Sequence, residues 1–171
     1  PAMTAVIGLP VRVGMGVANC AAVISNGCLR GLTSKTWLPD SGGFNESRWF
    51  SPVEEGTMVT VAGQEATLGT DLLYRVGDAV VGIEIGTDFA SPVPPSALHA
   101  LNGAEVILNL AAEPELAGSK TKRAAAVQAH AGRYSCIYAY ASAGFTESTT
   151  DLVYSGHSIL VENDRIVAQS E

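Results

Sequence analysis

Two stretches of this chain place reactive side chains where a backbone could present them. The first runs Ser34-Lys35-Thr36-Trp37-Leu38-Pro39, followed by Phe44, Glu46 and Arg48-Trp49-Phe50. A lysine at the end of an apolar run, beside a Pro/Gly loop with aromatics, can hold an ammonium in a cleft near a carboxylate and stabilise a developing oxyanion. The same spacing also suits a solvated lysine or a plain ion pair. The second stretch is Val80-Val81-Gly82-Ile83-Glu84-Ile85-Gly86-Thr87-Asp88. It reads as an apolar strand ending in a glycine bend, a place where α/β folds present a reactive group. The residue at this bend is Gly86, which has no side chain.

Other candidate chemistry is thin. The chain holds no G-x-x-x-x-G-K-[ST] phosphate loop, no G-x-G-x-x-G after a strand and no H-E-x-x-H zinc motif. His99, His130 and His157 fall on a helix, a helix and the opening of a strand, where packed or turn-bonding roles suit them. Cys20, Cys28 and Cys136 match no zinc spacing, and an odd number cannot all pair, so they read as ordinary thiols of a reducing, cytoplasmic compartment. No metal and no cofactor is expected. Ten Lys and Arg against 17 Asp and Glu leave a net charge of −7, which argues against a basic nucleic-acid-binding face. The longest uncharged stretch, residues 13–29, contains Asn19, Ser25, Asn26 and three glycines, so it predicts strands and a turn rather than a membrane span.

The elements that must carry these residues alternate between strand and helix patterns. With 171 residues, 47% of them apolar, the chain suits one domain with a sizeable core. Strands are predicted over 5–9, 17–24 and 28–33, the last two joined by a turn at Asn26-Gly27. Loop composition follows at 38–43, then strands at 57–62, 72–76 and 79–85, with Gly77-Asp78 as a second hairpin signal. Three prolines within 90–95 stop sheet pairing and start a short helix at 96–101, which ends near Asn102-Gly103. A buried strand at 104–110 precedes a helix from Ser119, read as its cap, to about Ala131, with Ala124, Val127, Ala131 and Tyr134 on one stripe. A strand at 136–140 and a closing hairpin at 158–161 and 165–168 complete an α/β chain with mixed sheets. The opening Pro1-Ala2-Met3, with no signal-peptide layout, reads as a fragment truncated at both ends.

At this point the motifs can be read together. The lysine segment, Gly82-Ile83-Glu84-Ile85, Ala104-Glu105-Val106-Ile107-Leu108-Asn109-Leu110 and Tyr140-Ala141-Ser142-Ala143-Gly144 resemble the nitrilase (carbon–nitrogen hydrolase) superfamily. Glu147-Ser148-Thr149-Thr150-Asp151-Leu152-Val153-Tyr154-Ser155-Gly156-His157-Ser158, with Glu162-Asn163, resembles the amidase half of glutamine-dependent NAD synthetases. The resemblance covers nearly the whole chain in order. It implies a partial α-β-β-α sandwich with mixed sheets and outer helices. It also implies a family chemistry in which a Cys thiolate attacks the glutamine amide. There a Glu acts as base and acid, and a Lys steadies the tetrahedral intermediate. The ammonia released passes to a synthetase domain that amidates deamido-NAD.

Carried over position by position, Lys35 matches the family lysine, Glu46 a second acidic residue near the site and Phe44 an aromatic of the glutamine pocket. Gly86 stands where the nucleophile falls, and Thr87 where the resemblance puts an acidic residue for the substrate amine. Ser41 replaces an aromatic, and the general-base Glu belongs upstream of the first strand. Thr87 cannot replace the thiol, since one step along a strand turns a side chain to the opposite face. No cysteine is placed to do so either. Gly86 fits natural drift or an engineered knockout, and the accompanying changes at Thr87 and Ser41 favour drift. The expectation is a domain derived from a glutaminase but inactive by itself. Its partners would be glutamine or another small amide, a separate synthetase domain, and further copies of itself through exposed sheet edge. A non-catalytic scaffold or assembly domain is the alternative, and an amidase with a Ser or Thr nucleophile a third reading.

Overall fold

A computed structural model describes residues 3–41 and 43–170. The chain opens with three antiparallel strands, β1 (Thr4–Val13), β2 (Gly16–Ser25) and β3 (Cys28–Ser34). Asn26 and Gly27 turn the second hairpin with φ of 54° and 73°, the left-handed pair that Asn-Gly tolerates. Strand β1 runs through Pro10, well past the predicted end at residue 9. It is the sheet edge, where a missing N–H breaks no ladder.

Next come β4 (Thr57–Val61) and β5 (Gln64–Gly69), completing a sheet in the order β1-β2-β3-β5-β4. Strand β5 was not expected. Its polar start, Gln64-Glu65, hides the alternation that buries Ala66 and Leu68.

The second sheet is ordered β11-β10-β9-β8-β7-β6. It contains β6 (Leu73–Val76), β7 (Ala79–Ile85), β8 (Val106–Ala111), β9 (Ile137–Ser142), β10 (Ile159–Glu162) and β11 (Arg165–Gln169). Strands β7, β8 and β9 are parallel. Their crossovers carry α1 (Pro95–Leu101) and α2 (Ser119–Tyr134). Pro95 sits at the start of α1 as predicted. Ser119 does not cap α2: Gly118 holds the cap position at φ 81°, and the Ser119 hydroxyl instead donates to Glu115 and accepts from the Leu116 N–H.

Three apolar layers hold this together. Ala21 and Val23 of β2 meet Tyr74, Val81, Ile83 and Ile85 between the sheets. On the other face of the second sheet, Val127 and Ala131 of α2 pack on Ile107, Tyr138 and Val161. Each fully buried Ile or Val there stabilises the fold by roughly 1.5–3 kcal/mol. The predicted stripe therefore faces the core. The outer face of the first sheet closes over Leu32 and Leu68 with Val53, Val59 and Val61. Both helices pack on the second sheet, so the described residues form the β-β-α part of the expected sandwich.

Helix α1 approaches β7 so closely that Gly82 has no room for a side chain. An added Cβ would lie 2.7–2.8 Å from the His99 ring and Cβ. His99 is itself fixed, its Nε2–H donating to the Thr70 carbonyl at 3.1 Å, and burial lowers its pKa. Gly82→Ala is expected to destabilise the domain by about 1–3 kcal/mol through overpacking, read as a lower urea midpoint. An unchanged midpoint would show that α1 can shift freely.

Candidate active site

The carboxyl ends of β7, β8 and β9 open into a cavity of about 410 Å³, the region where parallel strands of α/β folds receive ligands. Strands β1 and β2 form its opposite wall. Lys35, Glu46, Phe44, Gly86 and Thr87 all line it, so the structure brings together five residues singled out in the sequence. Ser41 is exposed and does not line it.

Lys35 follows β3 directly, and its N–H continues the ladder to the Asn19 carbonyl at 2.8 Å. The residue is only 4% exposed, and its Nζ lies 2.5 Å from Glu46 Oε1. A buried ammonium needs such a partner. The other Glu46 oxygen, Oε2, is buried without a hydrogen bond. Glu46 reaches the lysine because it opens a 3-10 turn (Glu46–Arg48) anchored by its own N–H to the Pro39 carbonyl at 3.1 Å.

Gly86 opens a second 3-10 turn, Gly86–Ala90, with φ of 53°. A Cβ built there would meet nothing but the Lys35 Nζ, 3.6 Å away. Asp88 ties this turn to the lysine segment. Its buried carboxylate accepts from the N–H of Ile85, Thr36 and Trp37 and from the Thr36 hydroxyl at 2.8–3.2 Å. Burial raises its pKa against the pull of those donors. The face argument for Thr87 fails at this point. Because the strand ends at Ile85, Thr87 sits in the turn and lines the same cavity, with its hydroxyl buried and without a partner.

Beneath the turn lies a polar chain that sequence reading missed. Glu84 is 1% exposed and faces the helices from β7. Its carboxyl group accepts from the Tyr138 hydroxyl and from the Ser96 N–H at 3.1 Å. Asn109 Nδ2 donates to the Tyr138 oxygen and to the Gly86 carbonyl, each at 3.0 Å. Burial pushes the Glu84 carboxyl up to about 7 and the Tyr138 hydroxyl well above its ordinary value. The available signal was a lone carboxylate inside an apolar strand.

A second cluster borders the cavity beyond β8. Arg123 of α2 is buried, with its Nη1–H donating to His157 Nδ1 at 2.9 Å, Nη2 lying 3.1 Å from Glu115 and Nε 3.6 Å from Glu113. His157 stands two residues ahead of β10, and its ring is committed to this arginine rather than to a turn. Burial and the adjacent guanidinium lower its pKa. Partial burial opposes ionisation of Glu115, but the Ser119 and Ser155 hydroxyls and Arg123 hold it down to about 2. Glu113 also lines the cavity.

The cysteines offer no replacement thiol in the turn. Cys20 borders the cavity on β2, but it is fully buried in the outer core of the first sheet, and burial pushes its thiol up to about 11. Cys136 is likewise buried and raised to about 11, whereas Cys28 is exposed. Among the described residues no cluster of three or more His, Cys, Asp or Glu could hold a metal ion. No helix among them is long and apolar enough to cross a membrane.

This arrangement defines the nitrilase-type α/β sandwich, with a lysine facing the turn that ends β7. The carbon–nitrogen hydrolase of Helicobacter pylori superposes over 99% of this chain and 58% of its own length, with a TM-score of 0.76 at 18% identity. More particularly, the chain is homologous to the amidase region of glutamine-dependent NAD synthetases. The enzyme of Mycobacterium tuberculosis is 37% identical over 171 residues, spanning 97% of this chain and 25% of that protein. A glutamine-dependent NAD(+) synthetase of Cytophaga hutchinsonii superposes with a TM-score of 0.85 at 28% identity, over 98% of this chain and 27% of its own. The chain thus spans about a quarter of the length of these relatives. No protein-family model matches it.

Proposed function

We propose that this chain is the core of a glutamine-amidase domain related to those of glutamine-dependent NAD synthetases, and that it does not itself hydrolyse glutamine. The observation that carries this reading is the empty position in front of the lysine. Lys35 and Glu46 form a tight pair, yet the position whose side chain would face the ammonium is Gly86, and a glycine cannot form a thioester. In this reading Lys35 would stabilise an oxyanion, Phe44 and Thr87 would contact the substrate, and any synthetase chemistry would belong to another domain. The domain would serve in the cytoplasm as a scaffold or assembly unit. The open edge of β1 supports self-association, because its unpaired backbone groups can accept another strand.

The test is ammonia release from glutamine by the purified chain, beside a Lys35→Ala control. Both are expected to stay at the buffer blank. Release by the wild-type chain alone would show that another nucleophile operates and would overturn the reading.

A further inference from the structure

Lys35 and Gly86 stand on different sheets, so neither sheet's own ladder fixes the distance between them. Lys35 follows β3 of the first sheet, and Gly86 follows β7 of the second. A site assembled in this way needs a tie between the two strand ends, because a misplacement of about 1 Å can cost about a hundred-fold in rate.

Asp88 is placed to tie them. It is completely buried, and its two oxygens divide the work. Oδ1 accepts from the Trp37 N–H at 2.8 Å, the Thr36 hydroxyl at 2.9 Å and the Thr36 N–H at 3.2 Å. Oδ2 accepts from the Ile85 N–H at 3.2 Å. Thr36 is the residue after Lys35, and Ile85 the residue before Gly86. Each oxygen thus holds backbone one residue away from a member of the site. By itself, the bond to Ile85 would be an ordinary contact between an acid in the first turn and the cap residue. The bonds to Thr36 and Trp37 do not cap that turn, since both residues lie in the loop beyond β3.

We infer that Asp88 is a positioning residue, whose two oxygens fix the reach of the Lys35 ammonium to a side chain carried at position 86. The inference deepens the reading of this cavity as a former amidase site and rests on it. It concerns geometry and not turnover, so ammonia release by the unsubstituted chain would overturn the proposed inactivity and leave this inference standing.

Asp88→Asn is a selective test. Its amide oxygen can keep the donors of Thr36 and Trp37, but its NH2 then meets the Ile85 N–H, donor against donor. The lysine segment stays anchored while the turn is released. The readout is alkylation of Gly86→Cys by iodoacetamide across a range of pH, with exposed Cys28 as the internal reference. Adding Asp88→Asn is expected to cut the advantage over Cys28 at pH 7 from roughly ten-fold to about three-fold or less, and to move the pH profile upward. A purely electrostatic role has the opposite sign, since losing a nearby carboxylate favours the thiolate. Lys35, Glu46, Glu84, Glu113, Lys120 and Arg123 are common to both variants, so the difference reports Asp88. A merely structural role would lower the urea midpoint and leave the pH profile in place. Unchanged or faster labelling of the double variant, or no advantage in Gly86→Cys itself, would overturn the inference.

Hydrogen exchange of the unsubstituted chain needs no variant to fold. Thr36 and Trp37 are exposed residues outside any strand, so only the clamp shields their amides. Both are expected to exchange at least about ten-fold more slowly than unstructured amides, in step with Ile85. Free exchange at Thr36 and Trp37 would also overturn the inference.

Discussion

Replacing Gly86 by cysteine is expected to give this chain a hyper-reactive thiol. The space exists, since a Cβ at that position meets only the Lys35 Nζ at 3.6 Å. Because the ammonium favours the thiolate, the new thiol should ionise below the ordinary cysteine value of about 8.5. At pH 7 the Gly86→Cys chain should react with iodoacetamide roughly ten-fold or more faster at the introduced thiol than at exposed Cys28, as read by mass spectrometry of peptides. Adding Lys35→Met should remove most of that advantage. There is also a cost. The backbone φ of 53° is left-handed, so a side chain there should destabilise the fold by about 1–2 kcal/mol. Labelling confined to Cys28, or a rate indifferent to Lys35, would mean that the lysine does not face this turn in solution.

The second large effect concerns Glu84 and pH. Its carboxyl is pushed up to about 7 by burial, whereas in the unfolded chain it titrates near 4.5. Between those values the folded state holds a proton that the unfolded state has released. Folding stability contributed by this group is therefore complete below about pH 4.5 and declines as pH rises through about 7, by up to about 3 kcal/mol in all. Asp88, also raised by burial, acts in the same direction above 3.8. The histidines oppose both. His99, His130 and His157 are lowered, so they contribute rising stability up to the ordinary histidine value of about 6.5.

Glu84→Gln separates these contributions, because it removes one carboxyl and leaves the others in place. Urea midpoints measured at pH 5 and pH 7.5 should show the wild-type chain losing more stability than the variant over that interval, by roughly 2–3 kcal/mol. Comparing slopes also removes any constant offset from fitting an amide against the Ser96 N–H. Parallel slopes would mean that Glu84 is ionised in the folded protein. The consequence for the site is direct, since Tyr138 and Asn109 connect this carboxyl to the Gly86 carbonyl.

Much of the architecture was legible in the sequence because local rules dictate it. Asn26-Gly27 forms its hairpin turn through positive φ angles that few other residues accept. Strand β7 was read with its observed bounds, since an uninterrupted apolar run between a Gly-Asp turn and a glycine bend leaves little choice. The stripe of α2 follows from helical spacing. Resemblance to the nitrilase superfamily singled out Lys35, Phe44, Glu46, Gly86 and Thr87, and the structure places all five around one cavity. Where local signals conflicted, prediction slipped. The first strand was read as ending at residue 9 but runs on through Pro10 to Val13, and Ser119 was read as a cap but is occupied by Glu115.

What the sequence by itself determined, then, is the order of elements, the lysine and the missing side chain at the bend. Those depend on neighbours in the chain or on matched motifs. Only the tertiary structure decided that Thr87 faces the cavity, because the strand ends one residue after Glu84 and the following turn rotates the side chains. It also decided that Glu84, Tyr138 and Asn109 form one buried chain, from residues 25 and 29 positions apart along the sequence. The charge of the cavity is tertiary as well. It comes from which carboxylates and cations the two sheets and α2 bring within reach, and Coulomb energies depend on those distances and on burial, neither of which is written in any local pattern.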